Sequence, residues 1–362
     1  MVLTISTYAG AQTTVQAVRL PASQPAGIVQ FTEGPASLKT VPYWIHSFKY
    51  ANVIYKYEMV GKSPYAGSST TTIPVNILPI NITFSNGTSL NGSDRAQAVA
   101  NSPIFLDATY LSGTTQYADA MQRAEFWNPV ILKKSPNYHV LLGSPTIQTT
   151  AKLTVPNTEG VICQSGATFG VINFAWFASQ LASILQAQSY DAGSLAVPIT
   201  NDIVLTTGTP GCGSGFYYGG YHGTYGTSQI NTFTYSAYLD AGWFYNPGTI
   251  DVFFLSHEVA EWMNDPFVDR AGGSQTQNIV PAWQQPGGGG CFSNLLEVGD
   301  ATEALANVAF VVNTNGTNYH VTDVAGVSWF ERLAKSMEVG STQSSPSYSY
   351  TGELTSAPPV CH

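Results

Sequence analysis

The chain is predicted to adopt an α+β fold dominated by strands, and three observations lead there. Short runs rich in Val, Ile, Thr and aromatic residues, punctuated by Pro and Gly, fill the first 156 positions. From Asn157 the texture changes to helix, strand, Gly/Tyr-rich loop, strand and helix in turn. The last of those helices carries His257-Glu258-Val259-Ala260-Glu261, which concentrates an imidazole and two carboxylates in five positions. The expectation is a β-rich N-terminal part over 1–156 and a mixed sheet over 157–362 with a backing helix and an active-site helix. The two parts could also form one continuous domain.

Taken in order, Tyr43–Met59 reads as a β-run from its aromatic and β-branched content, and Thr70–Phe84 as another whose prolines suit edges or strand starts. Ser93–Ala100 and Thr115–Trp127 are helical candidates. In the second, Tyr117, Met121 and Phe126 form the core stripe and Arg123 and Glu125 the wet side. Val140–Val155 returns to strand. Val171–Ser189 is a long helix with Phe174, Phe177, Leu181 and Leu185 on one face, and a strand follows at Asp202–Thr206. Gly208–Gly226 is a glycine and tyrosine loop, and Asn231–Tyr238 a β-run. The motif helix runs from about Asp251 to Asn264, where Asp265-Pro266 stops it.

Composition narrows the function classes. Only 10% of the 362 residues are charged, against about 25% in ordinary soluble domains. This low-charge surface, rich in Gly, Ser, Thr, Asn and Tyr, suits a secreted protein. A net charge of −9 argues against nucleic acid or an anionic membrane as partner. Lys152 and Arg270 are consecutive basic residues, so the chain between them holds acids and no Lys or Arg. That imbalance favours cations near the motif. The four cysteines, Cys163, Cys212, Cys291 and Cys361, form no C-x-x-C pair, and two disulfides are expected. Of three possible pairings, Cys163 with Cys212 and Cys291 with Cys361 is the one chosen. Met1–Ala11 lacks a basic n-region and an apolar core, so an exported protein would already have lost its signal peptide. Ala167–Ala187 is too polar to span a bilayer.

The motif defines the chemistry. On a helix His257 and Glu261 are i and i+4, so both side chains can reach one ion, and Glu258 beside them can act as a base. This is the logic of H-E-x-x-H in zinc peptidases, with a Glu as the second ligand. With six His and eleven Glu in the chain, a chance occurrence has a probability of about one in two hundred. The competing explanation is an amphipathic helix with these residues in solvent and Val259, Trp262 and Met263 buried. Catalytic zinc needs a third protein ligand and an open position. Glu297 and Asp300, in Leu296-Glu297-Val298-Gly299-Asp300, are the first candidates, with Asp300 slightly favoured. His222 and His320 compete for that role, and Tyr221 or His222 could stabilise an oxyanion.

A backing helix, strands, an active-site helix and a downstream ligand also follow one another in zincin catalytic domains. Ser256-His257-Glu258-Val259-Ala260-Glu261, the following Asp265-Pro266 and the later Leu296–Asp300 segment resemble a group of secreted bacterial and fungal metallopeptidase-like proteins. Tyr57–Lys62 and Thr115–Trp127 resemble the bacterial members as well. The second part is more distantly similar to plant phosphate-induced, EXORDIUM-like extracellular proteins, which carry Ser-His-Glu-Leu-Ala-Glu and an aromatic-His pair where Tyr221-His222 stands. The resemblance implies secretion and a metal-type motif and leaves the reaction open.

Three functions follow from these residues. The first is a secreted, zinc-dependent hydrolase of peptides or proteins, a metallopeptidase, with His257, Glu261 and Glu297 or Asp300 on the metal and Glu258 as base. The second is an extracellular glycan-binding or cell-wall-associated protein with a structural metal, using some of its seven Trp and twenty Tyr to stack on sugars. The third is a glycoside hydrolase that pairs Glu258 or Glu261 with Glu297 or Asp300.

Overall fold

A computed structural model describes residues 27–34, 39–132, 137–213, 217–226, 229–241, 248–268, 279–287, 290–292, 295–338, 346–359 and 361. Met1–Ala11, half of the turn-rich stretch Ala271–Gly290, and Ser293-Asn294 lie outside them. Of the described residues 38% are strand and 19% helix, so the structure is mixed and β-rich as expected.

At its centre Val75–Phe84 pairs in parallel with Leu195–Asn201, which pairs in parallel with Asn231–Tyr238. Gly220–Tyr225 then pairs antiparallel with Asn231–Tyr238 and ends that side of the sheet. Thr146–Ile147 and Ala151–Val155 extend the other side in parallel, and Ser89–Asn91 pairs antiparallel with residues 81–83 on the edge opposite Ala151–Val155. The N-terminal and C-terminal textures therefore share one sheet.

Strand alternation divides the core into two layers. Ile77, Val197 and Ile199 face the motif helix, Phe253–Asn264, together with Leu255, Val259 and Trp262. Leu78, Ile80, Ile82 and Ala196 face the opposite helix, Phe174–Gln186. That second helix buries Phe174, Phe177, Leu181 and Leu185, the stripe read from spacing. It starts later than expected, because Asn173 caps it by accepting from the Trp176 N–H while Ala167–Asn173 is a strand.

Several expectations need correction. Tyr43–Met59 is a hairpin of Tyr43–Tyr50 and Val53–Val60, turned by Ala51 and Asn52 at φ 47° and 66°. Thr70–Phe84 divides into Thr70–Ile73 and Val75–Phe84. Its Pro79 lies inside a strand paired on both sides; the outer register passes from Ile77 to Ile80, so no donor is required there. Val140–Val155 is three short strands, His139–Leu142, Thr146–Ile147 and Ala151–Val155. Ser93–Ala100 is helical only over Ala96–Ala100, after a 3-10 turn at Gly92–Asp94.

The helix expected over Thr115–Trp127 spans Tyr117–Glu125, and it has no wet side. Arg123 is buried and donates to the carbonyls of Ser112 and Tyr138, and Glu125 is buried near Asn264 of the motif helix. Both disulfides form as chosen, Cys163–Cys212 and Cys291–Cys361. Among the described residues no helix is long and apolar enough to cross a membrane.

Candidate metal centre

The motif helix is buried along its whole length. It departs from the amphipathic surface helix that competed with the metal reading, since polar and apolar faces alike are covered. Phe253, Phe254, Leu255, Val259, Trp262 and Met263 are all enclosed, a gross stabilisation of about 9–18 kcal/mol at ~1.5–3 kcal/mol per side chain. That apolar burial is what can hold His257, Glu258 and Glu261 out of water. Ser256 ties the helix to Thr317–Thr322, because its Oγ accepts from the Thr322 N–H.

Close approach of two chain segments completes the site, and glycine permits both. A Cβ on Gly219 would meet the Phe254 ring at 2.4 Å, and one on Gly220 would meet Glu258 Cγ at 2.6 Å. The edge strand can therefore lie directly on the helix. The segment beyond Leu296 approaches from the other side, where a Cβ on Gly299 would fall 2.5 Å from the His257 ring. The value of Gly299 is this contact rather than a sharp left-handed turn. Its N–H and that of Asp300 both donate to Glu261 Oε1 at 3.2 Å.

Two donor groups result, and Glu261 belongs to both. In one, ligand atoms of His257, Glu261 and Asp300 lie within 4.8 Å of one another, and in the other those of His222, Glu258 and Glu261 do. His257 Nε2 is 3.0 Å from Glu261 Oε1 and 3.4 Å from Asp300 Oδ1. His222 Nδ1 is 3.4 Å from Glu258 Oε2 and 3.7 Å from Glu261 Oε2. All five residues are at most 1% exposed. His257 Nε2, Glu258 Oε1, Glu261 Oε2 and both oxygens of Asp300 have no aligned hydrogen-bond partner among the described residues. Orphaned buried polar atoms are costly, about 1–3 kcal/mol each and more when charged.

Left to protons alone, the cluster is balanced by imidazolium. Burial opposes the charged form of His257, but Glu261 and Asp300 outweigh it and hold the ring well above its ordinary range. His222 is likewise raised against burial, by Glu258 and Glu261. Burial pushes Glu258 up, and it pushes Asp300 up to about 7. Glu261 is pulled down despite burial, because both histidines and the Asp300 N–H favour its anion. Among the described residues no Lys or Arg forms an ion pair with any of these carboxylates.

The remaining expected residues are placed differently. His222 stands on the edge strand Gly220–Tyr225, where the sequence suggested a loop. Tyr221, its neighbour on that strand, points to the other face and packs on Phe174, Phe233 and Tyr235 at 5.0–5.4 Å, so the structure does not bring it to Glu258. Glu297 is fully buried but belongs to neither donor group. His320 pairs with Asp251 at 2.7 Å, before the start of the motif helix, and lies outside both groups.

Gly219, Gly220 and the Asp265 carbonyl, 3.2 Å from His222 Nε2, were not anticipated as parts of the site. The Gly-Gly pair before Tyr221 was the only trace of them in the sequence. No family model matches this chain, and comparisons with curated proteins and with solved structures give no match.

Proposed function

We propose that this protein is a secreted, metal-dependent hydrolase that acts on peptides or proteins, with zinc as the first choice of ion. The observation that carries the reading is the convergence of His257, Glu261 and Asp300, whose buried atoms Nε2, Oδ1 and Oδ2 lack aligned partners. An imidazole with two carboxylates is an accepted zinc donor set, though less zinc-selective than two imidazoles. A zinc ion held there would supply Lewis acidity toward a scissile carbonyl and toward water. Glu258, next to His257 in the chain, has an unpartnered Oε1 to take a proton, while its Oε2 faces His222. His222, when protonated, is the donor nearest to that carboxylate. Two disulfides fit an oxidising compartment, in line with a resemblance to secreted metallopeptidase-like proteins and, more distantly, to EXORDIUM-like ones.

One observation favours a second reading, a structural metal in an extracellular, wall-associated protein. Every donor is at most 1% exposed, whereas catalytic zinc keeps a position open to water or substrate. The glycosidase alternative gains no such support, since Glu261 is held by two backbone N–H groups and shares a histidine with Asp300.

Glu258→Gln separates the readings. A hydrolase keeps its fold and the ion at His257 and loses turnover of a peptide library, turnover that a chelator also abolishes in the wild type. Unchanged turnover in the variant rules Glu258 out as the base. Chelation that unfolds a wild-type protein with no turnover establishes the structural role.

A further inference from the structure

We propose that the centre holds two divalent cations bridged by the Glu261 carboxylate, one held by His257 and Asp300 and the other by His222 and Glu258. The inference rests on the metal reading above and extends it. Glu261 presents one oxygen to each side: Oε1 lies 3.0 Å from His257 Nε2, and Oε2 lies 3.7 Å from His222 Nδ1. A carboxylate placed in this way can bridge ions about 3.5–4 Å apart, the spacing of co-catalytic two-metal sites.

The second position has its own supporting observation in the environment of His222. Its Nε2 lies 3.2 Å from the Asp265 carbonyl, which can only accept, so the ring proton belongs on Nε2. In the neutral ring Nδ1 then turns a lone pair toward Glu258 Oε2 and Glu261 Oε2, at 3.4 and 3.7 Å. Three acceptors facing one another in a buried space repel unless a cation lies among them. A histidine that ligates through one nitrogen and donates the other N–H to a carbonyl is also the usual arrangement at metal sites. Glu261 Oε2 and Glu258 Oε1 lack other partners among the described residues.

Charge is compatible with the second ion. Glu258, Glu261 and Asp300 bring three negative charges into a region without an ion-paired Lys or Arg among the described residues. Against three carboxylates one divalent ion leaves a net charge of −1 while His222 is neutral, and two leave +1, so charge admits a second ion beside the His222 pair. Glu258 would then hold the second ion through Oε2 and keep Oε1 for proton transfer.

The test is metal stoichiometry on the full chain, stripped by chelator and titrated with Zn²⁺, with Mn²⁺ in parallel for electron paramagnetic resonance. The wild type is expected to take two ions, with exchange-coupled Mn²⁺ signals. His222→Ala and Asp300→Ala should each retain one ion and give an uncoupled spectrum, and His320→Ala should retain two. Should His222→Ala fail to fold, Glu258→Gln serves as the second variant, and the wild-type coupling needs no variant. A single ion in the wild type, unaffected by His222→Ala, overturns the two-ion proposal and leaves the one-ion reading standing. No bound ion at saturating Zn²⁺ overturns both.

Discussion

Gly299→Ala should damage the centre although it adds a single carbon. The added Cβ would lie 2.5 Å from both Cε1 and Nδ1 of His257 and 2.8 Å from Cγ. Restoring an ordinary contact of about 3.5 Å requires the ring or the backbone to give by about 1 Å. The ring has no room to yield, since His257 is 1% exposed on a helix buried along its length. A backbone retreat of about 1 Å would stretch the Gly299 and Asp300 N–H bonds to Glu261, now 3.2 Å each, beyond hydrogen-bonding range. Overpacking alone costs about 1–3 kcal/mol, and two lost bonds to a carboxylate add about 1.5–3 kcal/mol each. A loss of about 4–9 kcal/mol is expected from these contributions, together with at least a hundredfold loss of Zn²⁺ affinity. Denaturant unfolding of the stripped protein reads the first and Zn²⁺ titration the second. Gly213→Ala is the control, because nothing lies within 4 Å of its added Cβ. Wild-type stability and affinity in Gly299→Ala would refute the close-approach argument.

Two further outcomes are expected. Asp300→Ala should cost more than a hundredfold in Zn²⁺ affinity, while Glu297→Ala stays within the roughly 10 to 100-fold range of a residue outside the ligand set; isothermal titration distinguishes them, and the reverse order would move the third ligand to Glu297. Asp323, fully buried, has its carboxyl pushed up to about 6 from 3.8 by burial, against the hydrogen bonds it accepts from Thr351 and Val324. Because the folded state holds this proton more tightly than the unfolded one, stability falls as pH rises from about 4 to 6 and then levels. Asp323→Asn lacks that loss, so its stability relative to wild type should grow by up to about 3 kcal/mol between pH 4 and 7. Parallel stability profiles would show that Asp323 does not titrate in this window.

How much of this was legible in the sequence depended on whether the deciding contacts were local. The motif helix was read to within two residues of its start, because i,i+4 spacing and Asp265-Pro266 are both local. The stripe on Phe174–Gln186 was legible for the same reason. Its start was not, because Ala167–Asn173 continues the apolar run without a break and only the Asn173 cap marks the change. Leu195–Asn201, an interior strand of the central sheet, was missed since Pro198 reads as a strand breaker. The Tyr43–Tyr50 hairpin hid its turn in Ala51-Asn52, without a glycine to betray it. Arg123 and Glu125 looked solvated because single-helix periodicity cannot show that other elements cover the polar face. The pairing of His222 with Glu258, 36 positions apart, rests on Gly219 and Gly220 meeting the helix, a tertiary fact with almost no local trace.

Burial gives the centre both its strength and its constraint. A carboxylate cluster at this depth costs too much to exist as free anions, so protons or cations must accompany it in the folded state. Protons alone would place charge on the histidine rings or keep carboxyls such as Asp300 protonated, and either way leave the Asp300 carboxyl without an aligned hydrogen bond. A divalent ion relieves more of this at once: it accepts the lone pairs that hydrogen bonds do not reach, and it cancels charge without adding donors that need acceptors of their own. The two N–H groups already on Glu261 Oε1 then act as an orienting brace, fixing that carboxylate so that its second oxygen faces His222. A ligand carboxylate pinned by its backbone neighbours has little freedom to serve as a nucleophile. Under the hydrolase proposal that leaves proton transfer to Glu258, whose Oε1 is an unpartnered carboxylate oxygen of the second donor group.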